Sequence, residues 1–340
     1  MLRYNLVEPQ KLVKEEAPRP RLGSGEVLIA VKTVGICGSD IHAYYGEHPY
    51  ISCPIVPGHE FAGIVTEVGE GVDEAWLGKR VTALPSLVCG RCTNCRRGRF
   101  NICEHLKVIG CQSDGALAEF VKVPADKLLH LPDDMSWETG TLIEPLAVAV
   151  HAVKLAGDIV DQRIVVYGGG TIGLLVMMVA KAYGAKDVIL SEPDAFRRRL
   201  GEKLGADYTI DPNKTAPNRW LQEKFGSEGI DLSFECVGIE ATVKEAILSN
   251  RKGTAIVIAG VFSQPIMVDM GLIQDRELRL LGTLMYTTDD YHEALKLLHG
   301  GQINGSPLIT HRLEFARAGE AFQLIEQAKG KCVKLLISTQ

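Results

Sequence analysis

Four cysteines, Cys89, Cys92, Cys95 and Cys103, stand in the stretch CGRCTNCRRGRFNIC with two, two and seven residues between them. Loops that short let four thiolates converge tetrahedrally on one zinc ion. Four sulfurs fill the coordination sphere and leave no position for water or substrate, so the spacing predicts a structural zinc. A reacting zinc needs fewer protein ligands, of mixed type, with one position open. GICGSDIH at 35–42 and PGHEF at 57–61 supply Cys37, His59 and Glu60 as candidates for such a site. The nine cysteines come without a secretory leader, which favours reduced thiols and metal ligation over disulfides. Cys53, Cys111, Cys236 and Cys332 stand alone and read as small buried hydrophobes.

A third feature is the run VVYGGGTIGLL, which puts Gly168, Gly170 and Gly173 in GxGxxG spacing, with Thr171 and Ile172 inside it. Glycines at those places allow a tight strand-to-helix turn and let a pyrophosphate approach the backbone, while the helix N-terminus supplies amide donors. Glu192 closes the next strand 19 residues beyond Gly173, where a carboxylate can accept hydrogen bonds from a ribose diol. A carboxylate there repels a 2'-phosphate, so NAD is preferred over NADP. Arg197, Arg198 and Arg199 follow closely, and an arginine in that place offers the opposite preference.

These groups need two different scaffolds. From about 25 to 130 the texture is β: EVLIAVKTVGIC, EFAGIVTEVG, KRVTALP and AEFVKVP cluster or alternate branched residues between Gly and Pro breaks. From about 160 strands alternate with helices: RIVVY before TIGLLVMMVAKAYG, DVILSE before AFRRRLGEKLG, DLSFE before EATVKEAILSN, then TAIVIAG. That alternation predicts a parallel sheet flanked by helices, and an α/β chain overall. TLIEPLAVAVHAVKLAG, 141–157, reads as a helix joining the two regions, and KCVKLLI near the end as a strand returning to the first.

Composition narrows the function classes. At 340 residues, 46% hydrophobic and 23% charged, the chain suits a packed two-domain globule. A net charge of −5 argues against a nucleic-acid partner, whose phosphates need a basic face. The opening MLRYNLVEPQKLVKEEAP carries charges throughout and reads as neither signal peptide nor membrane anchor. A cytoplasmic protein without membrane or nucleic-acid partners is the expectation.

Taken together, ICGSDIH, GHE, the four-cysteine lobe, IEPLAVAVHA, GGGTIG, DLSFECVG and PLITHRLEF resemble, in family order, the zinc-dependent medium-chain dehydrogenases of the sorbitol (polyol) dehydrogenase type. The resemblance implies a GroES-like β-rich catalytic domain, 1–150 with 287–340, carrying a zinc lobe at about 86–106, and a Rossmann domain at 151–286. It implies two zinc ions per chain, with Cys37, His59, Glu60 and Glu144 about the catalytic one. Asp40 would accept the other N–H of His59, and Ser39 and His42 would relay the substrate proton. Val237 joins the cofactor residues, and Tyr44, Tyr45 and Tyr286 the substrate residues. The reaction implied is oxidation of a secondary alcohol on a polyol or sugar-derived substrate, with hydride passing to NAD. Polyol enzymes often place an arginine before the tyrosine, where this chain reads Met285 before Tyr286. That departure keeps a butanediol-like alcohol, a sugar acid and threonine in view. Relatives assemble as homotetramers or homodimers. A regulatory protein that keeps the fold without turnover is the alternative from another class; a zinc-free quinone or enone reductase of the same superfamily would lack the GHE and the cysteine lobe that this chain has, and metal analysis separates the readings.

Overall fold

The computed structural model describes residues 1–226 and 229–339. The chain divides into two compact units, one of 1–144, 287–301 and 308–340, the other of 145–286 and 302–307. The division falls at Glu144, inside the first turn of the helix Ile143–Ala156, six residues before the boundary read from the sequence.

The first unit is built on a seven-stranded sheet whose organiser is the long strand Glu26–Ile36. Along one edge it pairs antiparallel with Glu60–Val68. Its other edge is shared: residues 26–30 pair with Phe120–Pro124, and 33–36 pair with Lys334–Ser338. The last strand of the chain therefore does return to the first region. Val27, Ile29, Val31 and Val34 on the organiser pack with Phe61, Val65, Val121 and Leu335 into one core. The cysteine lobe leaves this body as an excursion closed by a two-residue ladder, Ser86 opposite Val108 and Leu87 opposite Lys107.

In the second unit six strands run parallel. Their order is Tyr208–Ile210, Asp187–Ser191, Arg163–Tyr167, Leu232–Glu235, Ala255–Ile258 and Arg279–Gly282. By sequence this is 3-2-1-4-5-6, the doubly wound arrangement in which ligands lie beyond the carboxyl ends at the point where the order reverses. The apolar runs RIVVY and DVILS are buried because helices cover both faces of a parallel sheet. No helix among the described residues is long and apolar enough to cross a membrane.

Candidate metal centres and nucleotide turn

Two groups of metal-ligating side chains converge among the described residues, and both lie in the first unit. In each, the candidate ligand atoms all fall within 4.8 Å of one another. Cys89, Cys92, Cys95 and Cys103 form the first. Cys89 Sγ and Cys103 Sγ are 3.6 Å apart. Backbone amides donate to the sulfurs: Cys89 and His105 to Cys103, Cys92 to Cys89, and Cys95 to Cys92. Such donation brings the Cys92 thiol down to about 6, while desolvation and the neighbouring Cys92 and Cys103 push Cys95 up to about 12. A divalent cation is what makes four thiolates compatible at this spacing. The donor set fits a closed zinc site.

Cys37, His59 and Glu60 form the second group. Cys37 follows the organiser strand and caps the helix Gly38–Tyr44, its amide donating to Asp40 Oδ2 at 2.9 Å. Glu60 opens the neighbouring strand with His59 just before it, and the register that sets Gly35 opposite Glu60 brings them to Cys37. A Cβ at Gly35 would overlap Glu60 Oε2 and displace that carboxylate. His59 and Glu60 are both buried. Sulfur, imidazole and carboxylate together suit a zinc that keeps a position open.

Around this trio the surroundings are charged and dry. Asp40 is 1% exposed; its Oδ1 lies 3.8 Å from His59 Nδ1 and makes no hydrogen bond among the described residues. Cys111 Sγ lies 3.9 Å from the same nitrogen. The expected Asp40–His59 pair is therefore adjacent but longer than a hydrogen bond. An orphaned, buried carboxylate oxygen facing this ring fits a histidine whose proton sits on Nδ1 while its other nitrogen ligates. Burial works against a charged His59, but Asp40 and Cys37 outweigh it and lift its pKa well above the ordinary imidazole value. Burial raises the Cys37 thiol, against the pull of His59.

Glu60 has a partner the sequence did not suggest. Lys334 Nζ donates to both its carboxylate oxygens, at 2.8 and 2.7 Å, and to Ile36 O at 3.2 Å. Both side chains are 1% exposed. Glu144, expected as a ligand, is outside the converging trio. It is 5% exposed and acts electrostatically on Lys334 and Tyr291, so it belongs to the same buried neighbourhood.

Ser39 and His42 lie on the helix Gly38–Tyr44, both half-buried, with His42 Nδ1 3.6 Å from Glu47 Oε2. Two of the expected substrate tyrosines are engaged in packing. Tyr44 is half-buried and stacks on Phe322 with centroids 4.3 Å apart and planes at 5°. Tyr45 stands edge-on to Tyr44 at 5.3 Å and bonds Glu326. Tyr286, in the second unit, is 2% exposed, and Met285 before it holds a φ of 50°.

The glycine turn takes the geometry its spacing requires. Gly168 has φ of 101°, and a Cβ at Gly173 would overlap Gly168 O, so the helix Thr171–Ala182 approaches the strand as only glycine permits. Gly170 caps that helix without a side-chain hydrogen bond, and Thr171 and Ile172 form its half-buried first turn. Glu192 Oε2 accepts from the Gly169 amide at 2.6 Å and Oε1 from Asp194 at 2.8 Å. The acid thus braces the turn as well as facing it. The Arg197 amide donates to the capping Asp194. Arg198 is committed elsewhere, bridging Asp211 at 3.0 Å and donating to Glu192 O. Val237 stands over the turn, since a Cβ on Gly168 would meet its Cγ2 at 2.6 Å, and its amide donates to Glu235 Oε1.

Lys334 and His48 escaped sequence reasoning. The available signal for Lys334 was a lysine set inside the apolar run VKLLI, where a charge must find a partner.

Comparison with known proteins places these features in a wider group. The alcohol dehydrogenase GroES-like domain profile matches residues 23–133, and the zinc-binding dehydrogenase profile matches 171–300. L-threonine 3-dehydrogenase of Pyrococcus furiosus is 36% identical over 333 residues, covering 96% of this chain and 95% of its own. Sorbitol dehydrogenase of Halalkalibacterium halodurans is 34% identical over 327 residues, covering 95% and 94%. A crystal structure from Escherichia coli CFT073 complexed with NADH superposes with a TM-score of 0.92 at 32% identity, covering 99% of each chain. One from Sinorhizobium meliloti 1021 bound to NADP gives 0.91 at 32% identity, covering 99% and 98%.

Proposed function

Because the chain belongs to the zinc-dependent medium-chain dehydrogenases, an oxidoreductase family, we propose that it oxidises a secondary alcohol of the polyol or sugar-derived class with NAD as hydride acceptor. The convergence of Cys37, His59 and Glu60 into one mixed-donor group carries this reading. A zinc held there supplies a Lewis acid for the alcohol oxygen, and a bound nicotinamide supplies the hydride acceptor. Everything else falls to the chain. Cys37 and His59 hold the metal, with Glu60 and Glu144 as the carboxylates at hand. Asp40 keeps the His59 ring in the ligating tautomer. Ser39 takes the alcohol proton and His42, partly open to solvent, passes it on. Residues 168–173 and 237 cradle the dinucleotide, and Glu192 meets its ribose hydroxyls. The carboxylate of Glu192 and the commitment of Arg198 to Asp211 support NAD over NADP.

Threonine is the second reading, favoured by the similarity to the Pyrococcus furiosus enzyme. We also propose a homodimer or homotetramer built through the edge strand Arg279–Gly282. The test of function is a cofactor-reduction screen over polyols, aldonates, small diols and threonine with the zinc-loaded chain. Reduction of NAD by at least one polyol or diol, with about two zinc per chain by metal analysis, is expected. Zinc and NAD bound with no alcohol oxidised across the panel would leave the regulatory reading standing instead.

A further inference from the structure

Between the helix Gly38–Tyr44 and the strand Glu60–Val68 the chain carries a histidine that the metal group leaves unused. His48 is half-buried, and its Nδ1 accepts a hydrogen bond from the Tyr50 amide at 3.2 Å. A backbone amide can only donate, so this nitrogen carries no proton in the neutral ring. The proton sits on Nε2, which becomes a donor. Two further contacts tether this segment. Tyr50 O accepts from Gln112 Nε2 at 2.8 Å, and Cys111, the residue before Gln112, lies 3.9 Å from His59 Nδ1. His48 is therefore pinned to the loop that abuts a metal-ligating histidine. Burial, then its neighbours His42 and His59, hold its pKa below the ordinary imidazole value.

We propose that His48 determines specificity: its Nε2–H donates to an oxygen on the carbon next to the one oxidised, selecting alcohols with a vicinal hydroxyl. This rests on the reading that Cys37, His59 and Glu60 form the centre of alcohol oxidation. A donor at that place rewards a neighbouring hydroxyl, which has lone pairs to offer, and gives nothing to a neighbouring ammonium, which has none. It therefore separates polyols and diols from threonine. A site built to bond a hydroxyl discriminates strongly against the analogue lacking it, because the donor is left unpaired.

The experiment compares butane-2,3-diol, butan-2-ol and threonine on the zinc-loaded full chain with NAD, for the wild type, His48→Phe and His48→Gln. The kcat/KM ratio of diol to butan-2-ol is expected to fall at least tenfold in His48→Phe. It should stay within about threefold in His48→Gln, whose amide nitrogen restores a donor near Nε2. An unchanged ratio in His48→Phe, or wild-type preference for threonine over the diol, overturns the proposal. If none of the three alcohols is oxidised, the reading of the reaction fails, and His48 is still judged by imidazole 15N spectra. The Nε2–H tautomer, with an Nε2 signal that moves when diol is added beside NADH, supports it. The Nδ1–H tautomer, or a signal that stays put, overturns it.

Discussion

Lys334 and Glu60 form a fully buried ion pair beside a candidate metal, and the pair decides what that carboxylate is free to do. A lysine that grips both oxygens holds Glu60 back from the metal while leaving it within ligand distance of Cys37 and His59. Removing one partner strands a charge in a dry interior, at a cost of roughly 3–5 kcal/mol, whereas removing both is far milder. Lys334→Met is expected to lower unfolding free energy by that amount in urea titration, and Lys334→Met with Glu60→Gln to recover most of it. Equal loss in the single and double variants would mean the pair is not coupled. Cys37, His59, Glu60 and the four lobe cysteines were legible because ligand chemistry restricts residue type and local spacing. Lys334 was not, since its partner lies 274 positions away and only sheet register brings them together. The stacking of Tyr44 on Phe322 was hidden for a related reason, since the two rings meet only once the chain is folded.

Among the elements, the cysteine lobe has the least of its own to stand on. Its helix Thr93–Arg96 has four residues, well short of what sustains a helix alone, and a ladder of two pairs closes its base. Cys95 and Cys103 are its buried sulfurs, in place of an apolar core. The lobe's order is therefore assigned to its metal. Chelation is expected to free amides 89–105 to exchange with deuterium while Glu26–Ile36 and Glu60–Val68 stay protected. Continued protection of the lobe in metal-free protein would show that packing holds it. The strands and helices around the glycine turn followed their sequence patterns closely, because a parallel sheet buries whole apolar runs and a GxGxxG turn tolerates no substitute. The hairpin of Leu2–Glu8 with Lys11–Glu16 was not foreseen, since its charged residues hide the strand periodicity.

For the molecule as a whole, the exposed edge of the parallel sheet is the feature that calls for a partner. Among the described residues Arg279–Gly282 pairs on one side only, with Ala255–Ile258, and three of its four residues are exposed. Leu280 is 38% and Leu284 51% exposed, with Met267 and Met270 nearby in sequence at 82% and 63%. A bare edge beside exposed apolar side chains invites strand pairing, and a two-fold axis lets the same edge serve both copies. Strand–helix alternation along the chain predicts this sheet but not its order, so which strand ends on the edge came only from the fold. If the edge is the subunit contact, charges there should break it without touching the metal sites. Leu280→Arg with Leu284→Arg is expected to convert a dimer or tetramer to a smaller species in sedimentation velocity, with metal content retained. A wild-type chain that sediments as a monomer, or a double variant that keeps the wild-type assembly, would remove the edge from the interface.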